Sequence, residues 1–421
     1  MMEEQLDQIV GAFQALYGHS PAVVVRAPGR VNLLGEHVDY NEGWVMPAAI
    51  DRAAWLAVEA VAEPSVTLHA VDFGEYARFE LNQLQPKGEP SAAHWIDYPA
   101  GVAWAMQTAG YTLPGLRGVL HSDVPIGAGV SSSAAVETAF VLAWEALAGL
   151  TLTGLQRAAL GRQAENGYLG LQSGIMDQFA SLHAAADQLI LLDCRSLTHE
   201  LVPLSAETTL LIADSGVRRQ LVGSEYNTRR AECAAAVALL QPYLPAVRAL
   251  RDVSPAQFEP VAHRLPLPVR RRAQHVVEEC ARVLDGAARL RQGDLAGFGR
   301  NLIPVFQHHP RGPAVLHPHL RHSRLTTYLR AERLGRTGDG VGNAAGPPFG
   351  KTPGAKSAVY LSHIMVQQHI RRAGRARSQI RADNPAGGHC PFERVRLKPL
   401  AQEIGGAHRH QLRQEVELLL A

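Results

Sequence analysis

Cysteine is scarce in this sequence. Its 421 residues include four cysteines (Cys194, Cys233, Cys280 and Cys390), and no two of them form a CxxC pair. Structural zinc sites and disulfide frameworks need cysteines in close or regular spacing, so the sequence favours neither. We therefore expect buried, reduced thiols.

Long uncharged apolar runs are also absent. The most apolar helical stretch, residues 134–150, is interrupted by Glu137 and Glu145, whereas a membrane span needs about 20 apolar residues. It is therefore expected to be a core helix. The opening segment MMEEQLDQIVGAF is acidic and lacks the basic and then apolar regions of a signal or transit peptide. These features predict a cytoplasmic protein that does not cross a membrane.

Positive charge is scarce in the first part of the chain and abundant in the second. Residues 1–301 hold 23 Lys and Arg against 32 Asp and Glu, whereas residues 302–421 hold 18 against 7. The second part also carries 10 of the 19 histidines. The net charge therefore changes from −9 to +11, as between two unrelated proteins.

Residue periodicity predicts a mixed α+β architecture. Helical spacing is found before Tyr17 and over residues 94–110, 134–150, 155–169, 225–240 and 269–293. Apolar or β-branched runs predict strands at 23–25, 55–61, 66–70, 116–122, 189–193 and 209–214. The first strand is predicted to end at Ala27-Pro28-Gly29. The length allows two or three domains, with a boundary near residue 200.

The segment APGRVNLLGEHVDYN, residues 27–41, concentrates polar side chains after Gly29. A sugar presents several hydroxyls that each donate and accept, and carboxylates, an imidazole and amides can pair with them. A solvated turn with an Asx cap explains the same composition about equally well. The polar residues are Arg30, Asn32, Glu36, His37, Asp39 and Asn41.

The segment PIGAGVSSSAA, residues 125–135, lies where a loop enters a helix. Glycines let the backbone approach an anion closely, and the free N–H groups of the first helical turn point at it. The serine hydroxyls can cap the helix, contact phosphate oxygens or help to hold Mg²⁺. No lysine follows, so this is not a Walker A loop, and a simple helix cap remains the alternative.

Two carboxylates follow, Glu165 and Asp177. Phosphoryl transfer to a hydroxyl needs a metal ion to neutralise charge and benefits from a carboxylate near the nucleophilic oxygen. Two acidic residues on helices are more often surface residues. Their significance depends on the two polar segments that precede them.

Together these segments resemble the galactokinases of the GHMP kinase superfamily. PGRVNLLGEHVDYNEG is similar to the galactokinase signature, and GAGVSSSAA is similar to the superfamily's ATP-binding loop. The resemblance continues through AENGYLGLQSGIMDQFAS, LLDCRS, SEYNTRRAEC and RRAQHVVEE to about Gly299. It implies an α+β, two-domain GHMP kinase fold with the active site in the cleft between the domains.

The resemblance also implies a reaction and a role for each matching residue. ATP would phosphorylate the anomeric hydroxyl of galactose to give galactose 1-phosphate and ADP, the first step of galactose catabolism. Asp177 would be the catalytic base, and Arg30 would stabilise the transition state and keep that aspartate ionised. Galactose would contact Glu36, His37, Asp39 and Tyr226. Phosphates would lie on Gly127, Ala128, Gly129, Val130, Ser131, Ser132 and Ser133, with Mg²⁺ on Ser133 and Glu165. Galactose and ATP would be the partners of a monomer, without nucleic acid or membrane.

The resemblance stops after Gly299. Galactokinases carry a third, glycine-rich motif near the C-terminus, and the nearest string here, at residues 340–350, lacks consecutive glycines and contains Pro347 and Pro348. We therefore divide the chain into an N-terminal GHMP kinase domain (1–200), a partial C-terminal domain (201–299) and an atypical basic segment (300–421). The hypothesis for the last is a shifted reading frame, which would leave the C-terminal domain incomplete or disordered. A basic extension that binds nucleic acid is the rival interpretation.

Two other functions stay open at this point. The pocket residues do not separate galactose from another sugar, such as an N-acetylated hexosamine. A sensor that binds sugar and ATP, or an inactive pseudokinase, would also keep these segments, and the missing third motif is compatible with it. Turnover in an assay of ADP release distinguishes these possibilities.

Overall fold

The computed structural model describes residues 2–87, 93–205, 208–213, 226–307, 363–368 and 394–396. Its helices are α1 (Met2–Tyr17), α2 (Asp97–Thr108), α3 (Ser132–Leu147), α4 (Gly154–Gln163), α5 (Met176–His183), α6 (Tyr226–Leu240), α7 (Pro255–Phe258), α8 (Leu267–Arg291) and α9 (Leu295–Gln307). Its strands are β1 (Val23–Asn32), β2 (Trp44–Val45), β3 (Pro47–Val61), β4 (Ser65–Ala70), β5 (Glu75–Glu80), β6 (Gly115–Ser122), β7 (Gln188–Asp193), β8 (His199–Pro203), β9 (Thr208–Ala213), β10 (His363–Gln368) and β11 (Arg394–Arg396). Short 3₁₀ turns occur at Asp39–Asn41, Leu250–Asp252 and Ala262–Arg264, and a π-helical turn at Ala164–Tyr168.

A six-stranded sheet organises the N-terminal part, in the order β11-β1-β3-β6-β4-β5. Its neighbours are antiparallel except β4 and β6, which are parallel. Successive side chains of a strand point to opposite faces, and β1 shows this directly. Val24 packs with Ile9 and Phe13 of α1 on one face, while Val23 and Val25 belong to the main core on the other.

Helix α3 is the central element of that main core. Phe140 and Trp144 are fully buried in it, and the helix packs against β1, β3, α2 and α5. The prediction of a core helix here is confirmed. Among the described residues, no helix combines the length and the apolar character that crossing a bilayer requires.

The remaining elements complete the mixed α+β fold that the sequence predicts. Strands β2, β7 and β8 form a second, antiparallel sheet. Helices α6 and α8 pack on each other, and α8 also packs on β2 and β8. Leu34, Cys280 and Phe298 lie in the same core cluster as the residues around α3, so apolar packing is continuous from the N-terminal sheet to α8.

Strand β1 does not end where the sequence predicts. It continues through Pro28 and Gly29 to Asn32, with a register shift between Pro28 and Arg30 where it pairs with β3. The reason is packing: an ideal Cβ on Gly29 would lie 2.7 Å from the carbonyl oxygen of Val130, so glycine lets the strand touch the loop before α3. The irregularity re-aims the chain just before Arg30.

The other differences concern one helix and several elements that the sequence did not predict. The helix predicted at 155–169 is α4 followed by the π-helical turn. The elements without a prediction up to Gln307 are α5, α7, α9, β2, β5 and β8. Beyond Gln307 the described residues are two strands: β10 pairs with β9 and β11 pairs with β1, both antiparallel. Residues 340–350, the nearest string to a third glycine-rich motif, lie outside the described residues. The domain division and the frameshift stay predictions.

Candidate active site

Arg30 and Asp177 are 147 residues apart in sequence and form an ion pair. The Nε of Arg30 donates to Oδ1 of Asp177 at 2.8 Å and its Nη2 donates to the same oxygen at 2.6 Å. Arg30 stands near the end of β1 and Asp177 in the first turn of α5. Burial opposes the guanidinium charge, but the negative charges of Asp177 and Glu36 outweigh it and raise the pKa of Arg30.

The glycine- and serine-rich turn joins this pair. Nη1 of Arg30 donates to the carbonyl oxygen of Gly129 at 2.9 Å. Ser131 donates its hydroxyl to Oδ2 of Asp177 at 2.7 Å and makes no capping hydrogen bond, although it is the N-cap residue of α3. The cap alternative for this serine is therefore wrong: its side chain is directed to the carboxylate.

The backbone of the turn is unusual in the way that anion sites are. Gly127, Gly129 and Ser131 have φ angles of 70°, 79° and 60°, and left-handed residues of this kind turn successive N–H groups toward one concave side. Glycine reaches this region without cost, but serine does not. The hydroxyl bond of Ser131 to Asp177 and the start of α3 hold it there.

Ser133 and Glu165 also meet. The hydroxyl of Ser133 donates to Oε1 of Glu165 at 3.3 Å, and Ser173 donates to Oε2 at 2.5 Å. Glu165 lies in the π-helical turn that follows α4, a distortion that occurs often at functional sites. Burial, and then the charge of Asp177, raise the pKa of Glu165.

Asp39 lies on the 3₁₀ turn after Gly35 and faces the loop before α5. An ideal Cβ on Gly174 would be 2.0 Å from Oδ2 of Asp39, so only glycine leaves room for this carboxylate. Burial, and then the negative charge of Asp177, raise the pKa of Asp39 to about 7. The negative charges of Asp177 and Asp39 both act to raise the pKa of Arg30.

His37 is held by two neighbours. Nη1 of Arg229 lies 3.3 Å from Nε2 of His37, and the hydroxyl of Tyr40 lies 3.1 Å from Nδ1. A guanidinium only donates, so Nε2 accepts and the ring proton is on Nδ1, which donates to Tyr40. His37 itself has a left-handed backbone, with φ of 61°.

The structure therefore brings most of the predicted site residues together. Hydrogen bonds join Arg30, Asp177 and Ser131, and a separate hydrogen bond joins Ser133 and Glu165. The negative charges of Glu36 and Asp39 help to raise the pKa of Arg30. Tyr226 begins α6, but its side chain lies outside the described residues.

Sequence reasoning missed the acids and amides beneath this site. Glu137 of α3 is fully buried, and its Oε2 accepts from Nε2 of Gln178 at 2.9 Å. Burial, and then the charge of Glu165, raise the pKa of Glu137 well above its usual range. A glutamate inside an apolar helix was a signal of this, because such a residue is rarely buried without a partner.

Two family models match parts of this chain. The family model described as "Galactokinase galactose-binding signature" matches residues 11–60, and "GHMP kinases N terminal domain" matches residues 97–185. The first range contains Arg30 and the polar loop, and the second contains the 127–133 turn, Glu165 and Asp177.

Several galactokinases are similar to this chain over about two thirds of its length or more. A galactokinase of Roseiflexus sp. (strain RS-1) is 47% identical over 288 residues, which are 68% of this chain and 73% of that protein. A galactokinase of Chloroflexus aurantiacus is 39% identical over 71% of this chain and 76% of its own length. The crystal structure of Lactococcus lactis galactokinase complexed with galactose superimposes with a TM-score of 0.66 at 30% identity, covering 70% of this chain and 77% of that one. On this similarity, and with the matched segments meeting in one site, the chain belongs to the galactokinase family.

Proposed function

We propose that this galactokinase transfers the γ-phosphoryl group of ATP to the anomeric hydroxyl of galactose, with Asp177 as the base. The observation that carries the assignment of roles is the sharing of one carboxylate: Asp177 accepts from Arg30 on one oxygen and from Ser131 on the other. A base, a guanidinium and an anion-binding turn are what phosphoryl transfer to a hydroxyl needs at one point.

Proton transfer and phosphoryl transfer occur in one step. The anomeric O–H gives its proton to Asp177 while the oxygen attacks the γ-phosphorus, and the bond from that phosphorus to the β,γ-bridging oxygen breaks. ADP leaves with the electron pair. Arg30 stabilises the charge of the transferring group, and the carboxylate keeps the guanidinium oriented.

The turn at residues 127–133 supports ATP as the phosphoryl donor. Its left-handed residues and the N-terminus of α3 present N–H groups to phosphate oxygens. Binding there would direct the γ-phosphate toward Asp177, because Ser131 of the turn already contacts that carboxylate.

Ser133 and Glu165 fit a magnesium ion that also binds ATP. Mg²⁺ takes one or two protein oxygens together with phosphates and water, and these residues supply one hydroxyl and one carboxylate next to each other. Within the described residues no group of three or more His, Cys, Asp or Glu could hold a metal by itself. When bound, the ion would neutralise charge on the phosphates.

The sugar is proposed to contact Glu36, His37, Asp39 and Tyr226. The carboxylate of Asp39 packs against Gly174 and is close enough to Asp177 for the charge of that residue to raise its pKa. A hydroxyl-rich ring bound at Asp39 would therefore bring its anomeric oxygen toward the base. Nε2 of His37 already accepts a hydrogen bond from Arg229. A sugar hydroxyl that donates to this nitrogen would therefore share it with Arg229.

Coupled measurement of ADP release tests the function. Galactose, glucose and an N-acetylated hexosamine are compared at saturating ATP and Mg²⁺, and the product is identified by NMR as phosphorylated at the anomeric position. Turnover with galactose alone supports the proposal. Turnover only with the N-acetylated sugar supports the other kinase, and calorimetric binding of galactose without turnover supports a sensor.

The segment 300–421 bears on that outcome. We propose that it results from a shifted reading frame. Net charge and histidine content both change where this segment begins, and the segment lacks the third motif. Sequencing the gene and intact-mass measurement of the native protein test this. A native product with the mass of these 421 residues would contradict it.

We also propose a monomer in the reducing environment of the cytoplasm. In the part of the chain that the structure describes, Cys194, Cys233 and Cys280 are free thiols, as reduced compartments maintain them. Sedimentation velocity with and without a reducing agent tests the monomer and the reduced state of the thiols. A disulfide-linked dimer would contradict them.

A further inference from the structure

Helix α8 contacts the sugar loop, which we define as residues 33–41, through a buried carboxylate. Glu279 is fully buried. Its Oε1 accepts from the backbone N–H of Gly35 at 2.7 Å and from that of Glu36 at 3.3 Å. These contacts join parts of the chain that are 244 and 243 residues apart.

The second oxygen of Glu279 is held from behind. Nε of Arg282 donates to Oε2 at 2.8 Å and Nη2 lies 2.7 Å from the same oxygen. This ion pair neutralises a carboxylate that burial would otherwise penalise. It also fixes the direction of Oε1, because both ends of the carboxylate are then occupied.

A third contact comes from one helical turn earlier on the same face of α8, since residues four apart lie one above the other. Nε2 of His275 lies 2.8 Å from the carbonyl oxygen of Glu36. A carbonyl only accepts, so the ring donates from Nε2. Both backbone groups of Glu36 are therefore bonded to α8.

The loop needs such support because its backbone is not one that most residues favour. Gly35 has a φ of 98° and His37 one of 61°. An ideal Cβ on Gly35 would lie 2.6 Å from the carbonyl oxygen of Trp44. A turn of this kind persists where the surrounding structure determines it, and Glu279 and His275 bond the residue between those two positions.

We propose that Glu279, oriented by Arg282 and assisted by His275, is a positioning residue for sugar binding. It touches no substrate atom. It holds the Gly35–Glu36 peptide so that the side chains of Glu36 and His37 face the sugar, and the affinity for sugar therefore depends on α8 while the affinity for nucleotide does not. The consequence for galactose rests on the proposed function, whereas the effect on the loop does not.

Amide hydrogen exchange tests the effect on the loop without any ligand. Charge-assisted hydrogen bonds to a buried carboxylate are strong, so Glu279→Ala should raise the exchange rate of the Gly35 and Glu36 amides by about 10- to 100-fold. Glu279→Gln keeps one oxygen acceptor but loses the pairing with Arg282, and should give an intermediate rate. Asp285→Asn is the matched control, since Asp285 is an exposed acid on the same helix that pairs with a different arginine, Arg289, at 2.7 Å. In this variant the exchange of the Gly35 and Glu36 amides should equal that of the wild type.

Calorimetry with galactose and, separately, with ADP and Mg²⁺ then tests the consequence. The dissociation constant for galactose should rise at least about tenfold in Glu279→Ala, while that for ADP should change less than about twofold. His275→Leu replaces a partly exposed residue, so it provides a variant that folds if Glu279→Ala does not. It should raise the dissociation constant for galactose in the same direction.

The outcomes separate the two proposals. Unchanged exchange at Gly35 and Glu36 in every Glu279 variant overturns the positioning role, and so does an equal loss of affinity for galactose and ADP. If the wild type binds no galactose but the variants still expose these amides, the loop is positioned as proposed and the proposed function is wrong.

Discussion

Replacing Asp177 by Asn separates proton acceptance from geometry at this site. An amide has nearly the shape of the carboxylate, and its oxygen can accept from Arg30 as Oδ1 does at 2.6 and 2.8 Å. Its NH₂ group would then face Ser131, whose hydroxyl can reverse from donor to acceptor. The contacts around residue 177 therefore survive in the variant, but the side chain can no longer take a proton.

The size of the effect follows from that distinction. General base catalysis contributes about 10²- to 10⁴-fold, which is about 3–5 kcal/mol of activation free energy. Affinity for the sugar should change far less, because the polar loop is untouched. The pKa of Asp39 should fall in the variant, since burial and then the charge of Asp177 raise it.

The assay is ADP release at saturating galactose and ATP, with the dissociation constant for ATP measured separately. We expect kcat to fall by at least about 100-fold while the ATP dissociation constant stays within about threefold. Asp187→Asn is the matched control: Asp187 is exposed and has a φ of 57°, which Asn tolerates as well as Asp does. A kcat of Asp177→Asn close to that of the wild type would refute the assignment of the base.

Three further substitutions test other parts of the structure. The pKa of Asp39 is raised to about 7 from its usual value of 3.8, so between these pH values the native state binds more protons than the unfolded state. The free energy of unfolding should therefore fall as pH rises from about 4 to 7. Urea titrations at several pH values should show a smaller pH dependence of this free energy in Asp39→Asn. Gly174→Ala should displace Asp39, because the added Cβ would lie 2.0 Å from Oδ2 of that residue. We expect KM for galactose to rise at least about tenfold and KM for ATP to stay unchanged. Gly11→Ala is the control: its Cβ meets nothing within 4 Å, so neither KM should change. Glu145 is 1% exposed and accepts hydrogen bonds from Arg157 at 2.6 and 2.9 Å. Arg157→Met removes this counter-ion and should lower the free energy of unfolding in urea by about 3–5 kcal/mol. Arg162 is exposed, so Arg162→Met should change it little.

Local pattern predicted the elements better than it predicted the site. The helical spacing around Phe140 and the β-branched run at Val23–Val25 reflect which face of each element is buried, and that information lies within a few neighbouring residues. The path of β1 through Pro28 was not predictable in this way, because it depends on the contact between Gly29 and Val130, which are about 100 positions apart.

The pairing of Arg30 with Asp177 was an expectation from family resemblance and not from spacing. Nothing in the residues around either one encodes a partner 147 positions away. Glu279 shows the same limit more strongly: it stands on an amphipathic helix beside Glu278, and only the fold tells which of the two is buried against Gly35. Burial of a charged residue depends on the assembled core. Periodicity alone therefore shows which face of a helix is buried, but not which residue pairs with a charged side chain on that face.

The charge of Asp177 affects the protonation of other carboxylates of the site. The negative charge of Asp177 raises the pKa of Asp39 and that of Glu165, in each case after burial as the larger cause. If Asp177 accepts the proton of the sugar hydroxyl, this charge is neutralised at the moment when negative charge moves onto the leaving oxygen of ADP. The repulsion between Asp177 and Asp39 then decreases as the reaction proceeds, so a repulsion that is unfavourable in the resting enzyme favours the transition state over the ground state. Because Asn carries no charge before or after the step, Asp177→Asn removes this difference together with the proton acceptor, and the two losses act in the same direction on kcat.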